Sequence, residues 1–544
     1  MQHPRLSRRL RTTLSLTFTL VSSLLVSAAA HAQTWKITRS TWTEADEVDY
    51  SKFVMAIGQA REQNLCSTTV ECIKKAPGNF LRTPDDANLN FLVDCADLPY
   101  ALRAYFAMKK GLPFSYSAAV EAVPSPDGRP LPVKDIRYSS YGNRITRRVD
   151  LKGGPYSFNS TARDIMNTIS SAMFRVHPEY DSDQRPSDFY SVDIRRADES
   201  DPRGIRPGTI IYDPNGHVAV IYKVGRSGRL FFIDAHPDNS LTRGSYGMKF
   251  TRSRPHAGAG FKNFRPLSVQ AGRVVLSKNR DINDFSTVQY FGTHPADSWS
   301  KGRFIYQGQE LEYYDYVRAI MAGGNVTINP ITEIGEMTES LCLDTKDRVK
   351  AVQDSVAAGF HRKSHIARLP YNIYGTSGDW EEYSTPSRDA RLKTSFKELH
   401  DDAQRWLKMH REGSSRIVYS GTDLKGDMLK SFNKGVSRCK LSYKNSAGSS
   451  VSFTLTDVID KLWSMSFSPY HCPELRWGGI GGVASQCNDP DKLYWHKALQ
   501  KLRNQIERTY ERRMDFTARE LLEGPGRDLG VAVPPVVDIR RALD

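Results

Sequence analysis

Three short runs between residues 209 and 234 constrain this chain most: Thr209-Ile210-Ile211-Tyr212, then His217-Val218-Ala219-Val220-Ile221-Tyr222-Lys223-Val224, then Leu230-Phe231-Phe232-Ile233-Asp234. They are rich in β-branched and aromatic residues, which suit a pleated, half-buried surface. Asp213-Pro214-Asn215-Gly216 and Gly225-Arg226-Ser227-Gly228 separate them, and both are turn sequences. The pattern predicts an antiparallel meander with a histidine opening one strand and a carboxylate closing the next. Because side chains alternate along a strand, His217 shares a face with Ala219 and Ile221, and Asp234 with Phe232.

About 120 residues upstream, Phe91-Leu92-Val93-Asp94-Cys95-Ala96-Asp97-Leu98 carries an apolar run into the start of a helix expected over 95–110. Pro99 fits that placement, since proline is tolerated only in the first turn, and Gly111-Leu112-Pro113 ends the helix. A thiol attacks a carbonyl as thiolate, and a helix N-terminus offers partial positive charge and backbone amides that favour the thiolate and an oxyanion. Cys95 is therefore the candidate nucleophile, His217 the candidate general base, and Asp234 the carboxylate that would fix the imidazole's tautomer. In Asp234-Ala235-His236-Pro237-Asp238, His236 and Asp238 remain rivals for the third role.

The compartment bears on the thiol. Residues 1–32 combine Arg5, Arg8, Arg9 and Arg11 with an apolar, hydroxyl-rich stretch and a small-residue site at Ala30-His31-Ala32, the pattern of a secretory signal cleaved before Gln33. The stretch falls short of the ~20 apolar residues of a spanning helix, and no later segment approaches one, so a mature protein exported to the periplasm or beyond, without a membrane span, is expected. Seven cysteines in an oxidising compartment leave at least one thiol unpaired unless two chains cross-link. Pairing Cys66 with Cys72 and Cys472 with Cys487 closes two short polar loops, leaves Cys342 with Cys439, and frees Cys95. No paired Cys-x-x-Cys points to zinc, and no cofactor is expected. The net charge of +15 is partly the leader's own; elsewhere bases and acids interleave without a nucleic-acid motif, so no nucleic-acid partner is expected.

A mature chain of about 510 residues exceeds one core. A helix over 44–63 (Phe53, Val54, Ile57), strand pieces at 136–138 and 145–151, a helix over 160–174 capped by Ser160 or Thr161, and the meander make an α+β unit over 33–285. From 286 to 523 the pattern is mainly helical, with helices expected at 310–321, 345–358, 388–410, 455–465 and, as one long solvated helix, 491–522. The tail over 524–544 has little to bury and is expected to be flexible.

Val93-Asp94-Cys95-Ala96-Asp97-Leu98, Pro207-Gly208-Thr209-Ile210-Ile211-Tyr212, Gly216-His217-Val218-Ala219-Val220-Ile221 and Phe232-Ile233-Asp234-Ala235 together resemble, in order, the core blocks of the NlpC-type papain-like cell-wall peptidases. The resemblance covers roughly a third of the chain. It implies a papain-like catalytic domain, a cysteine helix packed on an antiparallel meander, with nucleophile Cys95, base His217 and third residue Asp234, where that family more often has histidine. Peptide or peptidoglycan stem peptide would be the substrate, cleaved through a thioester. Asp97 stands in place of a glycine and Thr209 in place of an acid, and the cysteine-to-histidine interval is longer than in compact members. The helix with Arg103 and Gly111-Leu112-Pro113 also looks like the transglutaminase-like branch, which implies acyl transfer to an amine as the alternative. A wall- or protein-binding module with an unreactive cysteine is the non-enzymatic one.

Asp97 bears on that choice, because a carboxylate beside a thiol raises the thiol's pKa. Asp94 reads as a helix-capping residue. The aromatic segment 368–383 is expected to cover a neighbouring core, with ligand contact the rarer role of such loops. The glycine-rich run 476–482 lacks the features of a phosphate loop and reads as a tight loop between Cys472 and Cys487.

Overall fold

The computed structural model describes residues 34–123, 142–175, 186–198, 200–214, 216–250, 258–294, 302–324, 326–374, 378–383, 386–508 and 512–543. The leader-like segment 1–32 and the strand piece expected at 136–138 lie outside these residues. The chain is mixed α/β with a helical C-terminal region.

Helix α1 (Glu44–Glu62) starts at Thr43, whose hydroxyl and the Asp46 carboxylate form a reciprocal capping box. Helix α2 (Asp97–Lys110) stops where Gly111 takes a left-handed conformation, φ 62°. The hairpin β1 (Phe114–Ala122) and β2 (Asn143–Leu151) follows, then α3 (Phe158–Thr168). That helix begins earlier than expected because Ser157 caps it, and it stops at Ile169, which turns extended; Ser171–Phe174 is a separate 3-10 turn.

The meander forms the middle of a six-stranded antiparallel sheet. Its strands are β3 (Phe189–Ser191), β4 (Ile210–Asp213), β5 (His217–Val224), β6 (Leu230–Ala235), β7 (Leu241–Ser245) and β8 (Gly260–Phe264), in the order β3-β8-β4-β5-β6-β7. Val218, Val220, Tyr222, Ile233 and Ala235 turn one face toward α1 and α2, where Phe53, Ile57, Leu102 and Phe106 bury against them. Ala219, Ile221 and Phe232 turn the other face toward α4 (Tyr313–Met321) through Val317 and Met321. Residues 310–321 are thus not one helix: Gln309–Leu311 pairs with Phe304–Tyr306 as a hairpin, and only then does α4 begin. Val317 and Met321 of α4 pack on the sheet while Ala319 joins the core of the helical region that follows.

That region is built on α5 (Pro330–Ala357), α6 (Pro386–Arg411) and α7 (Leu424–Arg438). Helix α5 is longer than the expected 345–358, because Asn329 caps it and Pro330 occupies its first position. The 455–465 helix is Leu455–Lys461. The long helix expected over 491–522 breaks into Pro490–Ala498, Gln500–Arg503 and Ala518–Glu523. Its charges resemble a solvated face, yet Trp495, Leu499, Leu502 and Met514 are buried in one cluster, and a new capping box at Thr517 restarts the helix. The tail packs too: Val537, Ile539 and Leu543 join the main core of the helical region.

The disulfides are Cys66–Cys72, Cys342–Cys439 and Cys472–Cys487, leaving Cys95 free. The Cys342–Cys439 link ties α5 to the end of α7 across 97 residues. No helix among the described residues is long and apolar enough to cross a membrane.

Candidate active site

Cys95 sits in a turn two residues ahead of α2, not in its first turn. The reason is local: the Asp94 carboxylate accepts the amides of Ala96 (2.8 Å) and Asp97 (3.1 Å), which holds residues 94–97 as a capping turn. Those two amides are therefore not open to a substrate oxyanion. The Cys95 amide itself has no hydrogen-bond partner among the described residues.

The ladder between β5 and β6 pairs Val220 with Ile233 and Ile221 with Phe232 and does not continue toward His217. The two strands part there, and the Cys95 sulfur lies beside the backbone, 3.9 Å from the Gly216 carbonyl, with the Val218 amide favouring its ionised form. These two groups flank His217. The imidazole itself points the other way, as strand alternation requires: it lies with Ala219 and Ile221 on the face away from α2 and stacks on Phe250. There its Nε2 meets the Asp234 carboxylate at 2.7 Å. The other Asp234 oxygen accepts from the Thr242 hydroxyl.

The structure thus joins His217 to Asp234 and brings Cys95 to the backbone of His217, with no hydrogen bond between thiol and imidazole. Of the rivals for the third position, His236 bonds Thr242 at 2.9 Å and lies 3.6 Å from Asp234. Asp238 closes a turn onto Ser240 and pairs with Lys350.

Cys95 and His217 nevertheless line one cavity, of about 40 Å³, together with His236, Trp380 and Arg391. That holds about one water and no peptide. The cover comes from the helical region: Ile373, Tyr374 and Trp380 of the aromatic segment line the cavity while packing into their own core. The segment covers a neighbouring core, as expected, and its inner side chains also line this cavity. Arg391, on α6, was missed in the sequence; nothing in the alternating charges of that helix marks one arginine as facing a thiol.

The electrostatics describe a resting pair. Burial pushes the Cys95 thiol well above its usual value, helped by Asp94 and Glu381, while the Val218 amide and Arg391 oppose. Burial and then Arg391 push His217 below the usual imidazole value against the pull of Asp234. Burial alone would raise Asp234, but His236, His217 and Thr242 outweigh it and hold the carboxylate ionised. A protonated thiol therefore lies beside a neutral imidazole bonded to a charged aspartate.

Asp97 is not the acid that faces the thiol. Burial and then the Asp94 charge push it up to about 8, so it is protonated at neutral pH. The folded state holds this proton more tightly than the unfolded chain, whose value is near 3.8. Its contribution to stability is full below that value and lost as pH rises through 8. Asp97→Asn should flatten this loss: thermal midpoints measured at pH 5 and pH 9 should lie closer together in the variant than in the parent.

Among the described residues, the donors that converge as metal ligands would are those of Cys472, Glu474 and Cys487, and the two sulfurs there are joined as a disulfide. No protein-family model, curated protein or solved structure matches the chain.

Proposed function

We propose that the protein is an exported thiol hydrolase of papain-like fold that cleaves an amide or isopeptide bond, with peptidoglycan stem peptide as the substrate. The observation carrying this reading is that Cys95 and His217 line one cavity while His217 is bonded, outside that cavity's lining, to Asp234. Asp234 engages Nε2, so Nδ1 is the nitrogen left for the thiol. As the cover moves and substrate enters, His217 takes the Cys95 proton while the sulfur bonds to the carbonyl carbon. The oxyanion meets the Cys95 amide, and collapse expels the amine, which takes its proton from His217. Water then attacks the thioester with His217 again as base, releasing the acid and regenerating the thiol. Export accords with the leader-like segment and the three disulfides.

The raised thiol and its lack of a bond to the imidazole favour a second reading, a binding module with an inert cysteine. Purified cell wall incubated with the mature protein and with Cys95→Ala separates the two. The hydrolase reading expects soluble fragments, resolved by mass spectrometry, that are absent with the variant; identical fragment profiles would sink it.

A further inference from the structure

Arg391 is one of the residues in this cavity, with Arg388 beside it, that the hydrolytic scheme leaves without a task. It lines the Cys95 cavity and also a second one, of about 50 Å³, on the other side of the His217–Asp234 pair. Its guanidinium makes no side-chain hydrogen bond or ion pair with any described residue, although such a group carries five donors in a planar fork. Its nearest charges compound the problem. Arg388, one turn earlier on α6, and Arg508 are like charges. The two acids that attract it are already engaged: Asp213 pairs with Arg508 at 2.9 Å, and Asp234 holds His217 and Thr242. Glu381 lines the Cys95 cavity as well, but at no ion-pair distance from Arg391. A part-buried cation set between like charges costs free energy until an anion meets it.

Resting on the reading of Cys95 as the acyl-accepting thiol, we propose that Arg391 is a substrate-binding residue and that the substrate carries a carboxylate close to the carbonyl under attack. A carboxylate matches the planar fork of a guanidinium. Arg391 and Cys95 line the same cavity, so an anion held by Arg391 lies near the carbon that Cys95 reaches. The helical region is then half of the active site rather than an appended module, since α6 supplies the charge that selects the substrate.

Two small alkylating agents test this without knowledge of the natural substrate. Iodoacetate and iodoacetamide react alike: the sulfur bonds to the methylene carbon, iodide leaves with the bonding electrons, and the thiol proton is lost to base. They differ only in the carboxylate. The measurement is made at pH 8, where His217 is neutral, on the intact mature protein, as the ratio of the two rate constants at Cys95 relative to the same ratio for free cysteine. The expected relative ratio is about tenfold above unity, as one close charge pair in a partly solvated site gives. It should fall to near unity in Arg391→Gln and stay raised in Arg391→Lys. The iodoacetamide rate reports folding and access in each variant. Rapid labelling with an equal ratio in parent and Arg391→Gln would overturn the carboxylate site while leaving the hydrolase reading intact. Slow labelling by both reagents in the native protein, with rapid labelling once it is unfolded, would overturn the thiol reading and this one with it.

Discussion

If the proposed hydrolase reading holds, His217→Ala should lower kcat/KM on the proposed wall substrate by roughly 10²- to 10⁴-fold, the range lost when a general base is removed. The imidazole is the group that can take the thiol proton, because burial holds Cys95 protonated and leaves no standing thiolate to act alone. Asp234→Asn falls in the same direction, since an amide no longer fixes which ring nitrogen carries the proton. The pH profile adds a sign. His217 lies below the usual imidazole value, so its basic form survives to lower pH, and the acid limb of kcat/KM falls below pH 6.5. A limb above that value would place the working base elsewhere.

Arg348→Leu destabilises the helical region by about 3–5 kcal/mol, the cost of leaving a buried charge without its partner. Arg348 of α5 meets Asp389 of α6 through two hydrogen bonds of 2.9 Å and gives a third to the Ser466 carbonyl, beneath the ring of Trp477. Both side chains are almost fully buried. Burial would raise Asp389, but Arg348 outweighs it and holds the carboxylate below its ordinary value, so the pair stabilises above pH 3.8 and is lost as pH falls through the folded value. Urea unfolding should show the parent–variant difference shrinking as the pH falls below 4. Replacing both partners by apolar residues of similar volume should recover much of the loss; a double variant as unstable as Arg348→Leu would mean the pair is not the source.

What the sequence discloses here is what depends on neighbours in the chain. The meander is legible because Asp213-Pro214-Asn215-Gly216 and Gly225-Arg226-Ser227-Gly228 interrupt β-branched runs, and strand parity places His217 with Ala219 and Asp234 with Phe232. The free thiol follows from an odd cysteine count. Which face of the sheet α2 covers is a long-range choice, so the sequence does not reveal that His217 and Cys95 stand on opposite faces and meet only where β5 and β6 part. Asp97 looks, in sequence, like a charge beside the thiol; burial neutralises it and leaves that role to Asp94. The mixed charges after Asp491 imitate a solvated helix because periodicity does not report that Trp495 and Leu499 are buried. Arg391 is hidden for the same reason, its position being set by how α6 lies across the sheet.

The central claim is that Cys95 carries the acyl group. Mature protein incubated with cell-wall digest, quenched in acid and cleaved into peptides shows it by mass spectrometry. The account predicts an acyl adduct on the peptide containing Cys95 that neutral hydroxylamine removes and that His217→Ala fails to form. Fragments released from the wall with Cys95 unmodified at every time of quench would contradict it.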